Sequence, residues 1–175
     1  MPISHHSEMK FQIEQMLPTD QGAVLEIYRL GLESGLATFE TEVPAWEQWD
    51  AAHYTRCRFV ARRGPQVIGW VALSPVSKRS VYAGLAEVSI YIHPEYQRQG
   101  VGNALMLELI RCSRDAGFWT LQASIFPQNQ ASQALLLKCG FRVVGRREKI
   151  AQLHGIWRDT LLLERRIPDT DPEDA

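Results

Sequence analysis

Apolar and polar positions alternate from Phe11 to Met16, with Phe11, Ile13 and Gln15 against Gln12, Glu14 and Met16, which predicts a short strand. Pro18-Thr19-Asp20 then opens a helix whose Ala23, Val24, Ile27, Leu30 and Gly31 share one face, and Gly35 supplies its stop. Residues 36–43 read as a loop containing Phe39. Trp46, Trp49 and His53 recur at helical spacing within Ala45 to Tyr54, a second short helix. Arg58 to Arg63 and Gln66 to Ser74 form a predicted hairpin around Gly64-Pro65, and Leu85 to His93 is a further strand. The clearest helix is Val101 to Ala116, with the stripe Val101, Leu105, Leu109, Cys112 and Ala116 and a closing Gly117. Trp119 to Phe126 is a strand. Asn129 to Cys139 is a helix stopped by Gly140, and Phe141 to Gln152 and Trp157 to Glu164 are the last two strands.

That order is strand, two helices, three strands, helix, strand, helix, two strands. It predicts an α+β domain built on one mixed, mostly antiparallel sheet flanked by about four helices. Three consecutive strands without intervening helices exclude a Rossmann order. The length of 175 residues suits one core, and 45% apolar residues are enough to fill it. The domain is expected over residues 11–166. Residues 1–10 carry no apolar stretch of the kind a signal peptide needs and are expected to be a flexible extension. Residues 167–175 hold Asp169, Asp171, Glu173 and Asp174 and are expected to be a disordered acidic tail.

Charge narrows the partners. Nineteen basic and 20 acidic residues give a net charge of −1, without the basic excess a nucleic-acid surface requires. No apolar run is long enough to span a membrane. Cys57, Cys112 and Cys139 match no metal spacing and are expected to be reduced, buried thiols of a cytoplasmic protein. No metal site is expected.

Three segments carry candidate chemistry. Gln97-Arg98-Gln99-Gly100-Val101-Gly102 lies between a strand and a helix, and Asn103 follows it. Its glycines allow a tight turn, and the free N–H groups of the helix start suit a diphosphate. The alternative is a plain strand-to-helix turn. In the strand before it, Val88, Ile90 and Ile92 share one face and Glu87, Ser89 and Tyr91 the other, so a carboxylate, a hydroxyl and a phenol face the same way. The alternative is a strand with one wet face. Asn129, at the next helix start with Ser132 in its first turn, reads as an N-cap and as an amide available to a ligand.

These segments resemble the GCN5-related N-acetyltransferase superfamily, through the Gln97 to Gly102 turn and through Asn129 followed by Lys138-Cys139-Gly140-Phe141. Within it the chain is similar to the phosphinothricin and methionine sulfoximine acetyltransferases. The stretches that carry this are Ala37-Thr38-Phe39-Glu40-Thr41-Glu42, Arg79-Ser80-Val81-Tyr82 with the strand from Ala86 to Ile92, and His154-Gly155-Ile156-Trp157-Arg158-Asp159. The resemblance implies an enzyme that moves an acetyl group from acetyl-CoA to the amine of a small amino-acid-like substrate, usually as a homodimer. It implies that Ile90, Tyr91, Ile92, residues 97–103, Asn129 and Ser132 hold the cofactor. Phe39, Arg79, Tyr82 and Glu87 would meet the acceptor. Glu87 would be the general base, because an amine of pKa near ~10 is mostly protonated at neutral pH. Relatives carry a Tyr or His acid in the last helix where this chain has Leu136. Tyr91 or a water would then protonate the departing thiolate. Two other readings stay open: a different acceptor, such as a protein N-terminus or an aminoglycoside, and a non-catalytic coenzyme A-binding module.

Overall fold

A computed structural model describes residues 10–167. The expected extension lies outside the described residues apart from Lys10, and the expected tail apart from Ile167. Ile167 belongs to the fold: it is fully buried and its N–H bonds the carbonyl of Trp119.

The chain runs β1 (Gln12–Gln15), α1 (Gln21–Glu33), α2 (Trp46–Ala52), β2 (Phe59–Arg63), β3 (Gln66–Pro75), β4 (Leu85–Ile92), α3 (Val101–Asp115), β5 (Thr120–Ile125), α4 (Gln130–Lys138), β6 (Arg142–Leu153) and β7 (Ile156–Arg166), with short 3-10 turns at Pro18–Asp20, Ser80–Tyr82 and Pro94–Tyr96. All seven strands form one sheet in the order β1-β2-β3-β4-β5-β7-β6. Every neighbouring pair is antiparallel except β4 and β5. The expected element order and mixed sheet are therefore found.

Each face of the sheet carries its own apolar layer. On one face α3 and α4 lay down Val101, Leu105, Met106, Leu109, Ile110 and Leu136 against Val71, Leu73, Ala86, Val88, Leu121 and Leu163. Leu105, Met106 and Leu109 are fully buried, and burying side chains of this size stabilises a fold by about 1.5–3 kcal/mol each. On the other face Val24 and Ile27 of α1 and Trp49 of α2 pack on Val60, Trp70 and Ala72. Arg58 is buried with them and answered completely enough to be tolerated: its guanidinium donates to Asp50 Oδ1 and to the carbonyls of Tyr54, Asp50 and His53. The alternation in β4 sorts as expected, with Ala86, Val88, Ile90 and Ile92 on the α3 side and Tyr91 in the α1 layer.

The cysteines correct the sequence reading. Cys57 and Cys112 are joined as a disulfide with 5.6 Å between their Cα atoms, and only Cys139 is a free, buried thiol. Cys57 leads into β2 and Cys112 sits on the inner stripe of α3. The packing of α3 on β2 brings together two residues that are 55 positions apart in the chain. No local spacing signals that contact.

Candidate active site

The two helices on the α3 face begin differently. α4 has a conventional cap: Asn129 Oδ1 accepts from the N–H of Ser132 at 3.2 Å. α3 has none. Its N-cap is Gly100, in the left-handed region at φ +83°, and no side chain bonds the helix start. Its first backbone bond is Ala104 N–H to Gly100 O, which leaves the N–H groups of Val101, Gly102 and Asn103 without intrahelical partners. Arg98 is also left-handed, at φ +59°, so the chain curls before the helix. Gln99 fixes that curl by donating to Glu95 O at 3.1 Å. Gln97, Arg98, Gln99 and Gly100 are exposed. Nothing lies within 4 Å of where a Gly100 Cβ would stand, so this glycine is required by backbone angle alone. An open, positively polarised helix end of this kind fits a diphosphate. Gly102 has a second reason: a Cβ there would meet Leu135 at 3.1 Å, so it seats α3 against α4. Asn103 also faces α4, where its Oδ1 receives the Cys139 thiol at 3.6 Å.

β4 leads to this turn, and its edge is open. β3 accompanies it from Ala86 to Ile92, but β5 pairs with it only at Leu85, Ala86 and Glu87. Beyond the Glu87–Gln122 rung the two parallel strands part, while β5 continues its pairing with β7. The main chain of residues 88–92 therefore has no strand partner on that side among the described residues. A slender arm carrying amide groups can complete such an edge. Glu87 stands at the apex of the opening, half-buried between Ser74 on β3 and Gln122 on β5.

The other mouth of the opening lies under the loop between α1 and α2. Tyr91 stacks on Trp70, with ring centroids 5.0 Å apart, and meets Tyr28 edge-on at 5.0 Å. Gly31 makes this possible, since a Cβ there would fall 2.5 Å from the Tyr91 ring. Burial pushes the Tyr91 phenol well above its ordinary pKa, with the Tyr28 phenol and the Glu40 carboxylate adding to the rise and hydrogen bonding with Thr38 opposing it. Tyr28 is raised in the same way, by burial first, then Glu40, again against Thr38. Phe39 packs edge-on against buried Phe126, 4.9 Å away, and the Arg158 guanidinium lies 4.3 Å over the Phe126 ring. Asn129 also holds this loop: its Nδ2 donates to Leu36 O at 3.2 Å.

The structure thus brings Glu87, Ile90, Tyr91 and Ile92 together on one strand, with residues 97–103 at its end and Asn129 at the start of the helix that packs beside them. Arg79 and Tyr82 sit at the near end, in the exposed connection leading into β4, the guanidinium 5.5 Å from the ring. No ring contact joins them to Phe39 among the described residues. Leu136, which the resemblance sets where relatives carry an acid, is a core residue only 2% exposed. Sequence reasoning missed Tyr28 and Phe126 as site components. The parity of β5, which sets Phe126 with Gln122 and Ser124, was the available signal for the second.

What this frame can hold is a long carrier with a diphosphate at one end and a thioester at the other, delivered beside a carboxylate; it is the site of an acyltransferase. Residues 23–141 match the profile of the Acetyltransferase (GNAT) family, and the chain belongs to that family. It is an acetyl-CoA-dependent N-acetyltransferase. A phosphinothricin N-acetyltransferase from Alcaligenes faecalis is 34% identical over 158 residues, covering 83% of this chain and 77% of that protein. An L-methionine sulfoximine/L-methionine sulfone acetyltransferase from Salmonella typhimurium is 32% identical over 89 residues, 51% of this chain and 52% of its own length. The crystal structure of a GNAT-superfamily phosphinothricin acetyltransferase from Sinorhizobium meliloti, in complex with acetyl-CoA, superposes with a TM-score of 0.82 at 30% identity, covering 91% of this chain and 89% of that one. Among the described residues no three His, Cys, Asp or Glu side chains cluster to hold a metal, and no helix is long and apolar enough to cross a membrane.

Proposed function

We propose that the chain acetylates the free amino group of small amino-acid-like molecules of the phosphinothricin, methionine sulfoximine or methionine sulfone kind, with Glu87 as the general base. The observation that carries this reading is the place of Glu87. It occupies the last rung before β4 and β5 separate and shares a face with Tyr91, under the loop that holds Phe39. The curl from Gln97 to Asn103 takes the diphosphate, Ile90 and Ile92 pair with the pantetheine arm, and Asn129 and Ser132 flank it.

Glu87 removes a proton from the ammonium, directly or through one water, and the neutral amine attacks the thioester carbonyl. Main-chain N–H groups near Ser89 and Ile90, on the opened edge, stabilise the oxyanion. The C–N bond forms and the C–S bond breaks, releasing a thiolate. A thiol of pKa near ~8.5 is a competent leaving group at neutral pH, so Leu136 in place of an acid is tolerable. Tyr91 is packed between Tyr28 and Trp70, and burial raises its phenol above the ordinary range. We therefore assign the thiolate's protonation to solvent and treat Tyr91 as a wall of the site. Arg79 and Tyr82 guide the acceptor's carboxylate from the near end.

Val143, Val144, Ile150, Ile156 and Trp157 expose 43–66% of their surface on the β6–β7 hairpin, which supports a homodimer formed through that hairpin. Acetyl-CoA as donor supports a cytoplasmic enzyme, and a reducing cytoplasm would tend to open the Cys57–Cys112 bond. A thiol-release screen against phosphinothricin, methionine sulfoximine, methionine sulfone, aminoglycosides and N-terminal peptides tests the acceptor. Turnover of the amino-acid analogues is expected. Turnover confined to aminoglycosides or peptides would refute it, and no turnover with coenzyme A still bound would favour a binding module. Sedimentation tests the dimer.

A further inference from the structure

Cross-strand register places one more charged residue on the Glu87 face. Glu87 is opposite Gln122, and Gln122 is opposite Glu164 on β7, so the three share a side of the sheet. Side chains on a strand alternate, which puts Leu162, Thr160 and Arg158 on that same side. Arg158 is half-buried. Its neighbours on the hairpin are paired: Arg146 with Asp159, and Arg142 with Glu164. Arg158 has no carboxylate or hydrogen-bond partner among the described residues. Its contact is the face of Phe126, which holds the guanidinium by cation–π attraction, and Phe126 in turn supports Phe39 of the acceptor loop.

We infer that Arg158 is a specificity-determining residue that reads the far end of the acceptor and selects amino acids whose side chain terminates in an anion, such as a phosphinate. This rests on the acceptor reading above and goes further, by naming the residue and the charge it recognises. Arg158 stands six strand residues along β7 from Glu164, an offset of about 20 Å at the rise of an extended chain. It therefore cannot meet the same atom as Glu87. An acceptor lying between them would set its amine toward Glu87, its carboxylate toward Arg79 and its side-chain terminus toward Arg158. A planar guanidinium already packed on a ring, with its N–H fork unused, is preorganised for a two-oxygen anion.

The test uses the full-length enzyme with acetyl-CoA and two acceptors that differ at that end, anionic phosphinothricin and methionine sulfone with a neutral terminus. In R158M, kcat/KM for phosphinothricin is expected to fall about tenfold or more, through KM, because a charge-assisted contact is lost. Methionine sulfone should stay within about twofold of wild type, and KM for acetyl-CoA should be unmoved. R158K keeps the charge without the fork and should lie between. If R158M does not fold, R158K alone decides the matter by a selective rise in KM for phosphinothricin. Equal losses on both acceptors, or none on phosphinothricin, would overturn this inference while leaving the acceptor reading intact. A wild-type enzyme that binds acetyl-CoA and turns over neither acceptor would overturn the acceptor reading, and this inference with it.

Discussion

Replacing Glu87 with glutamine separates the role of its charge from that of its shape. The amide occupies the same volume, and Glu87 has no ion pair among the described residues, so the substitution strands no buried cation. Its flanking partners on β3 and β5 are Ser74 and Gln122, neither of which can accept a proton at neutral pH. Without the base, reaction proceeds only through amine that has already lost its proton in solution. For an amine of pKa near ~10 that fraction is about 10⁻³ at pH 7 and about 10⁻¹ at pH 9. Glu87→Gln should therefore cost about 10³ in kcat/KM at pH 7, within the range general-base catalysis supplies, and the deficit should shrink about tenfold per pH unit on raising the pH. Thiol release across pH 6.5–9.5 measures this, with coenzyme A titration showing whether the cofactor still binds. A variant within about tenfold of wild type at pH 7, or one whose deficit is flat with pH, would refute the base assignment.

Gly100→Ala forces a Cβ into the left-handed region with no clash to relieve, a strain of about 1–2 kcal/mol. Taken from the binding-competent turn, that is about a five- to thirtyfold rise in coenzyme A Kd by calorimetry, and Gly100→Asn should be milder. Tyr91→Phe keeps the stack on Trp70 and removes only the phenol oxygen, so kcat should remain within about threefold; a hundredfold fall would mark Tyr91 as a proton donor. Burial lowers the pKa of His53, which stacks on Trp49, so the fold favours its neutral form. Its contribution to stability is complete above about pH 6.5 and is lost as the pH falls from there through the lower folded value. Thermal melts from pH 7.5 to 5 should show that loss, and His53→Asn should flatten it.

Local periodicity carried most of the element order, because each amphipathic stripe is written within a few turns of chain. The α3 stripe of Val101, Leu105 and Leu109 is buried as expected, and β4 sends Val88, Ile90 and Ile92 to one layer and Tyr91 to the other. What stayed illegible depends on which segments meet. The parallel β4–β5 rung and its early end at Glu87 reflect twist and divergence between strands more than thirty residues apart. The disulfide between Cys57 and Cys112 required knowing that α3 crosses β2. Arg158 stands in the sequence only as one member of the His154 to Asp159 stretch; its place on the side of Gln122 and Glu87, over Phe126, needed the register. The Asn129 cap was readable from its place before a helix, but its second bond, to Leu36, was not.

The parting of β4 from β5 means that the resting protein has an unfinished seam through the middle of its sheet. If the cofactor's arm pairs with that edge as proposed above, each catalytic cycle stitches the seam with a guest and then unpicks it. Rigidity at the heart of the molecule should therefore come and go with turnover instead of being fixed by the fold. Amide hydrogen exchange along residues 88–92 is the place to see it: quick in the empty enzyme, slowed when coenzyme A lies alongside, with β2 and the C-terminal half of α3 serving as unchanging references.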